Sequence, residues 1–60
     1  MNFAVDGIIA VVAIDRPGKG RAEWRLTAES EADAVRIVTD AIKPGATVTI
    51  VTAVPKFVEI

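Results

Sequence analysis

Sixty residues, 52% of them apolar, with no Cys and no His, make one small domain spanning residues 1–60. Disulfides are excluded, and so are the usual zinc, copper and iron ligand sets. Net charge −1 and a pI near 5.1 speak against general nucleic-acid affinity, which needs many cations to neutralise phosphates.

A domain of this size buries only about 60% of the surface its unfolded chain exposes. Disulfides, metals or oligomerisation usually supplement such a core, so oligomerisation is the remaining expectation. A mean hydropathy of +0.43 points the same way. No apolar stretch reaches the roughly 20 residues of a membrane helix, because Asp6 and Gly7 interrupt the first run and Asp15, Arg16 and Pro17 end it. No Lys or Arg precedes that run, so neither a membrane nor a secretory role is expected, and the cytoplasm is the default location.

The first strand, Phe3 to Ile14, is apolar on both faces. One face carries Phe3, Val5, Ile9, Val11 and Ala13, and the other Ala4, Ile8, Ala10, Val12 and Ile14. A strand with one wet face would alternate apolar and polar residues, so this one is expected to be covered on both sides. Only one helix is available to cover it. The second face is therefore expected to meet another molecule. Asp6 interrupts the apolar pattern as a candidate functional acid, but Gly7 beside it favours a bulge that lifts Asp6 to solvent.

Asp15 to Gly20 combines a proline with two glycines, as a hairpin loop requires. The second strand, Arg21 to Ala28, alternates cleanly. Ala22, Trp24, Leu26 and Ala28 form its dry face and Arg21, Glu23, Arg25 and Thr27 its wet one, which suits a sheet edge. Ser30 with Asp33 resembles a capping box, and Glu29, Glu31 and Asp33 complement the helix dipole. A helix over Glu31–Lys43 follows, with Ala34, Val35, Ile37, Val38, Ala41 and Ile42 in one apolar arc, until Pro44 and Gly45 stop it.

Ala46 to Val54 reads as the third strand, with Val48, Ile50 and Val54 on one face and Thr47, Thr49 and Val51 on the other. The tail Pro55–Ile60 keeps three large apolar residues at the chain end. It reads as a short fourth strand that pairs with a neighbouring subunit, or as a seal over its own core. The whole is an α+β fold, ββαβ, a two-layer sandwich of one helix on a mainly antiparallel sheet of order 2-1-3. Order 1-2-3 would place the doubly apolar strand on an edge and ranks second.

Little here can do chemistry. Ser30, the only serine, is better used as a helix cap, and no His or Cys is present to activate a nucleophile. Gly18-Lys19-Gly20 lacks the full phosphate-loop pattern and joins two strands, so it reads as hairpin chemistry. No cofactor is implied. Four of the seven basic residues, Arg16, Lys19, Arg21 and Arg25, fall on one hairpin, and with Trp24 they form the candidate partner-binding set. Core packing beneath the helix is the plainer role for Trp24. Phe3, Val5, Ile9, Val11, Phe57 and Ile60 form the candidate self-association set.

The stretch from Trp24 to Val35, in which a strand ends in Ala-Glu-Ser and an acidic cap leads into Ala-Val, resembles the strand-to-helix turn of small orphan proteins encoded by actinobacterial phages. The short, Ala- and Val-rich composition is similar too. That resemblance implies a host-interaction role in the host cytoplasm, sometimes toxic. The leading expectation is a non-enzymatic module that self-associates through its sheet and binds a host protein. A nucleic-acid-binding or regulatory protein using the basic hairpin 16–25 is the alternative. An oligomeric ligand carrier or enzyme with a site between subunits is the third.

Overall fold

The computed structural model describes all 60 residues. Strand β1 spans Phe3–Arg16, β2 spans Gly20–Ala28, helix α1 spans Glu31–Ala41 and β3 spans Thr47–Glu59. The three strands form one antiparallel sheet of order β2-β1-β3, with the doubly apolar strand in the middle. This is the α+β arrangement that the apolar pattern demands.

The hairpin between β1 and β2 closes through a hydrogen bond donated by Lys19 N to the Arg16 carbonyl at 3.1 Å. Pro17 sets the first central position, and Gly18, at φ +71°, takes the second, which a type II turn restricts to residues tolerating positive φ. In β1, Ile8, Ala10, Val12 and Ile14 then stand opposite Ala28, Leu26, Trp24 and Ala22 of β2. Directly opposed residues share a face, and this face meets the helix.

Ala10, Val12 and Ile14 from the sheet and Ala34 and Val38 from α1 make the buried cluster. Ile8, Leu26, Ala28, Ile42, Ala46, Val48 and Ile50 pack around it. Ala34 and Val38, spaced at i, i+4, lie along one line of the helix surface and press on the sheet, and Ile42 packs on the same cluster from just past the helix end. Ala41, at the margin of the apolar arc, is exposed. On the outer face of β1, Ile9 and Val11 are half-buried, and Ala13 is buried with no helix above it. Its small side chain sits low between Glu23 and Thr49 on the flanking strands.

Ser30 caps α1, its Oγ accepting from Asp33 N at 3.1 Å. The helix ends at Ala41 rather than running to Lys43. Ile42 is already extended (φ −111°, ψ 165°), and Lys43 precedes Pro44, whose ring disfavours helical backbone in the residue before it.

Two bulges reshape the pairing that simple alternation predicts. Between the pairs Val5–Phe57 and Ile8–Pro55, Asp6 and Gly7 together oppose Lys56. Gly7 sits at φ +80°, and a Cβ there would lie 2.5 Å from the Ala28 carbonyl oxygen, so no other residue fits without displacing backbone. The bulge also reverses the facing of the residues before it. On β3, Ala53, Pro55 and Phe57 alternate without a break on the helix side, and Val5 lies opposite Phe57. Phe3 and Val5 therefore share the helix side with Phe57, whereas Ile9 and Val11 lie on the outer face. The six residues read as one self-association surface divide between two.

The second shift, between Val11–Thr52 and Val12–Ile50, leaves Val51 as the extra residue of β3. It turns Val54 to the outer face, away from Val48 and Ile50, with which alternation had grouped it. The tail is not a separate fourth strand. It is the end of β3, paired with Phe3–Val5 of its own chain, and Ile60 N donates to the Asn2 carbonyl at 2.9 Å. Pro55 is accommodated because β3 is an edge strand.

The consequence is an elongated shape of 49 × 17 × 12 Å with a radius of gyration of 13.3 Å. A compact chain of this length would measure about 10 Å. β1 and β3 run past the end of β2 and continue as a two-stranded ribbon, an arm that projects beyond the helix.

Candidate functional site

The two ends of the molecule differ in chemistry. At the hairpin end, Arg16, Lys19, Arg21 and Trp24 line one groove of about 220 Å³, floored by Ile14 and Ile42. Arg16 and Lys19 are held there by the turn, and Arg21 borders the groove at the start of β2 while its side chain pairs with Glu23 on the outer face. A neighbouring cleft of about 320 Å³ shares Arg16 and Lys19 and adds Lys43 from the segment after α1. The crossover that brings β3 back beside β1 carries Lys43 to this end. Its distance along the chain from the hairpin hid it from sequence reasoning.

Arg21 pairs with Glu23 at 3.3 Å, both side chains about half exposed, a geometry that contributes little. Arg16, Lys19, Arg25 and Lys43 make no ion pair. Arg25 stands apart from this groove. It lies opposite Val11 on the outer face, while Trp24, opposite Val12, points to the helix side. Trp24 is 42% exposed and is not among the residues packed on the core, where Leu26 and Ala28 serve instead. It lies at the margin of the helix-covered face, bordering the groove that Ile14 and Ile42 also line.

At the other end, the helix start is a polar network. Asp33 accepts from Glu29 N at 3.2 Å through Oδ2 and from Arg36 Nη2 at 2.6 Å through Oδ1. Arg36 also lies 3.5 Å from Asp40. The hydrogen bond from Arg36, followed by that from Glu29 N, holds the Asp33 carboxyl below the usual carboxylate range, and the same contact raises the Arg36 guanidinium. This is the capping box in a shifted form, the return bond reaching Glu29 rather than Ser30.

Asp6, lifted out by the bulge, is exposed and unpaired. It borders an open polar cleft of about 630 Å³ shared with Thr27, Glu29, Asp33, Arg36 and Lys56. No three Asp or Glu side chains converge there in a metal-binding arrangement.

Beyond this cleft the arm exposes large apolar groups. Phe3, Val5, Phe57 and Ile60 are 58%, 60%, 64% and 82% exposed, although the chain buries only six residues in all. No helix is long and apolar enough to cross a membrane. No protein-family model, curated protein or solved structure matches this chain.

Proposed function

We propose that this protein is a non-enzymatic interaction module, encoded by an actinobacterial phage, that self-associates through its sheet and binds a host protein. The observation that carries the reading is the arm, where Phe3, Val5 and Phe57 stand on one face outside the core. Leaving large apolar groups in water forgoes roughly 1.5–3 kcal/mol for each fully exposed side chain, so a contiguous set of them marks a surface that gains by being covered. The phage origin rests on the Trp24–Val35 resemblance alone. In the fold that stretch ends β2 and caps α1.

Partner binding is assigned to the hairpin end. Arg16, Lys19 and Lys43 converge without carboxylate partners beside an exposed Trp24, which suits an acidic protein surface. The same unpaired cations favour nucleic acid as the second reading, Lys43 adding to the basic hairpin. A ligand site between subunits has less support, because the cleft beside Asp6 is wide open and lined by solvated charges.

A tagged pull-down from actinobacterial lysate, run with and without nuclease and read by mass spectrometry, tests these readings. One dominant protein that survives nuclease and is lost from the triple variant R16A/K19A/K43A is the expected result. Recovery of nucleic acid alone would replace it with the second reading. Recovery of nothing in either condition would overturn both.

A further inference from the structure

Resting on the self-association reading above, we propose that the arm binds a second copy of this chain by edge-to-edge pairing of Phe3–Val5, joining two sheets about a two-fold axis at Ala4. Ile60 N donates to the Asn2 carbonyl, so the polar backbone groups of Asn2 point toward β3. Backbone groups alternate along an antiparallel strand, and Asn2, Ala4 and their partners are in one register, Ala4 opposite Val58 and Val5 opposite Phe57. Ala4 therefore points to β3 as well. The N–H and C=O of Phe3 and Val5 point the other way, to the side on which β2 would lie.

Strand β2 does not extend there. Its last pair is Ala28 with Ile8, and the chain then turns into the helix. Phe3 and Val5 thus present open backbone donors and acceptors at an apolar strand edge, the arrangement most prone to pairing with another strand. Lys56 and Asp6 sit at the bulge, and Glu59, which stands opposite Phe3 on the helix side, belongs to β3, so none of these charges lies on the open edge itself.

The edge is also self-complementary. Antiparallel pairing about Ala4 sets Phe3 against the partner's Val5 and Val5 against the partner's Phe3, so each pair exchanges both hydrogen bonds. A two-fold axis perpendicular to the sheet keeps the helix sides together. Phe3, Val5 and Phe57 of both copies then form an apolar floor between two helices, flanked by the Glu59 that stands opposite each Phe3.

The area is of the right order. Phe3 and Phe57 are 58% and 64% exposed. At about 150–250 Å² for a whole aromatic side chain, the two rings together offer on the order of 250 Å², out of the roughly 800 Å² that each subunit of a standard interface contributes. Val5, opposite Phe57, and the strand edge adjoin them. Pairing would also convert an isolated two-stranded ribbon, marginal by itself in water, into four strands.

Sedimentation equilibrium of the full chain and of two variants tests the proposal. Val5→Pro removes an N–H that points away from β3, so the ladder within the chain is kept while the edge loses a donor. The wild type should be dimeric and V5P monomeric with an unchanged circular dichroism spectrum. Ala4→Cys places two thiols across the two-fold axis, at a non-hydrogen-bonded pair with Cα atoms about 4.5 Å apart, within the disulfide range. Mild oxidation should give a covalent dimer, and this readout stands even if V5P fails to fold. A wild type that stays monomeric from micromolar to millimolar concentration, or an A4C variant that does not cross-link, would overturn the edge pairing. A dimer that survives in V5P but is lost in Val11→Glu would overturn it while leaving self-association intact, by the outer face instead. Failure of the proposed partner binding is read separately, in the pull-down.

Discussion

The two halves of β1 are built from the same kinds of residue and meet different surroundings. From Ile8 to Ile14 the strand lies between β2 and β3 beneath α1, and Ala10, Val12 and Ile14 are buried there. From Phe3 to Val5 it has one neighbour and no helix, and larger side chains remain in water. Side-chain hydrophobicity therefore did not decide which half became core. Coverage did, and it is set by where β2 stops and where the helix begins. The lesson is that the arm contributes little to the fold of the single chain and is available for binding.

The largest test of that contrast is a truncation in each half. Val12→Ala, in the covered half, should lower unfolding free energy by about 2 kcal/mol or more, a large share of what so small a domain holds. Phe57→Ser, in the arm, should change the stability of the monomer by no more than about 0.5 kcal/mol, as exposed sites do, while abolishing self-association. Urea denaturation at low protein concentration measures both. Equal losses would show that the arm belongs to the cooperative core.

Gly7 joins the two halves, and Gly7→Ala forces both a strained φ and a collision with the Ala28 carbonyl oxygen. A loss of about 2 kcal/mol is expected, with weakened dimerisation because the arm is re-aimed. Ser30→Ala should cost about 1 kcal/mol through the lost cap and leave dimerisation unchanged, since the cap lies in the covered half.

The smallest effect is the acid response. Asp33 has a carboxyl held below its ordinary value by Arg36, so its contribution is present above the pKa it has in the unfolded chain and is lost as pH falls through its lower folded value. Asp33→Asn should flatten the fall in thermal midpoint over that acidic interval and change nothing at neutral pH beyond the lost bonds. An unchanged slope would assign the acid sensitivity to other carboxylates.

Local chemistry was legible where one residue type permits one conformation. Pro17 and Gly18 announced the turn, Ser30 the cap, and Gly7 the bulge that lifts Asp6 to solvent. The strand order was legible because only a central strand needs two apolar faces. The division of the self-association residues was not, because the bulge reverses the facing of Phe3 and Val5 relative to Ile9, and a pattern counted two by two runs straight through it. The basic end was half legible. Arg16, Lys19 and Trp24 are neighbours in sequence and share a groove that Arg21 borders, but the side chains of Arg21 and Arg25 fall on the other face and Lys43 arrives through the crossover.

By itself the sequence determined the kind of the main elements, their order in the sheet, and the excess of apolar side chains over what one helix can cover. These follow from periodicity and from the backbone limits of proline and glycine, which act within a few residues. Only the tertiary structure decided which apolar residues stayed outside and which way they face. That outcome depends on the length of β2 against β1 and on the extra residues at Asp6–Gly7 and Val51, quantities fixed by pairing between segments distant along the chain.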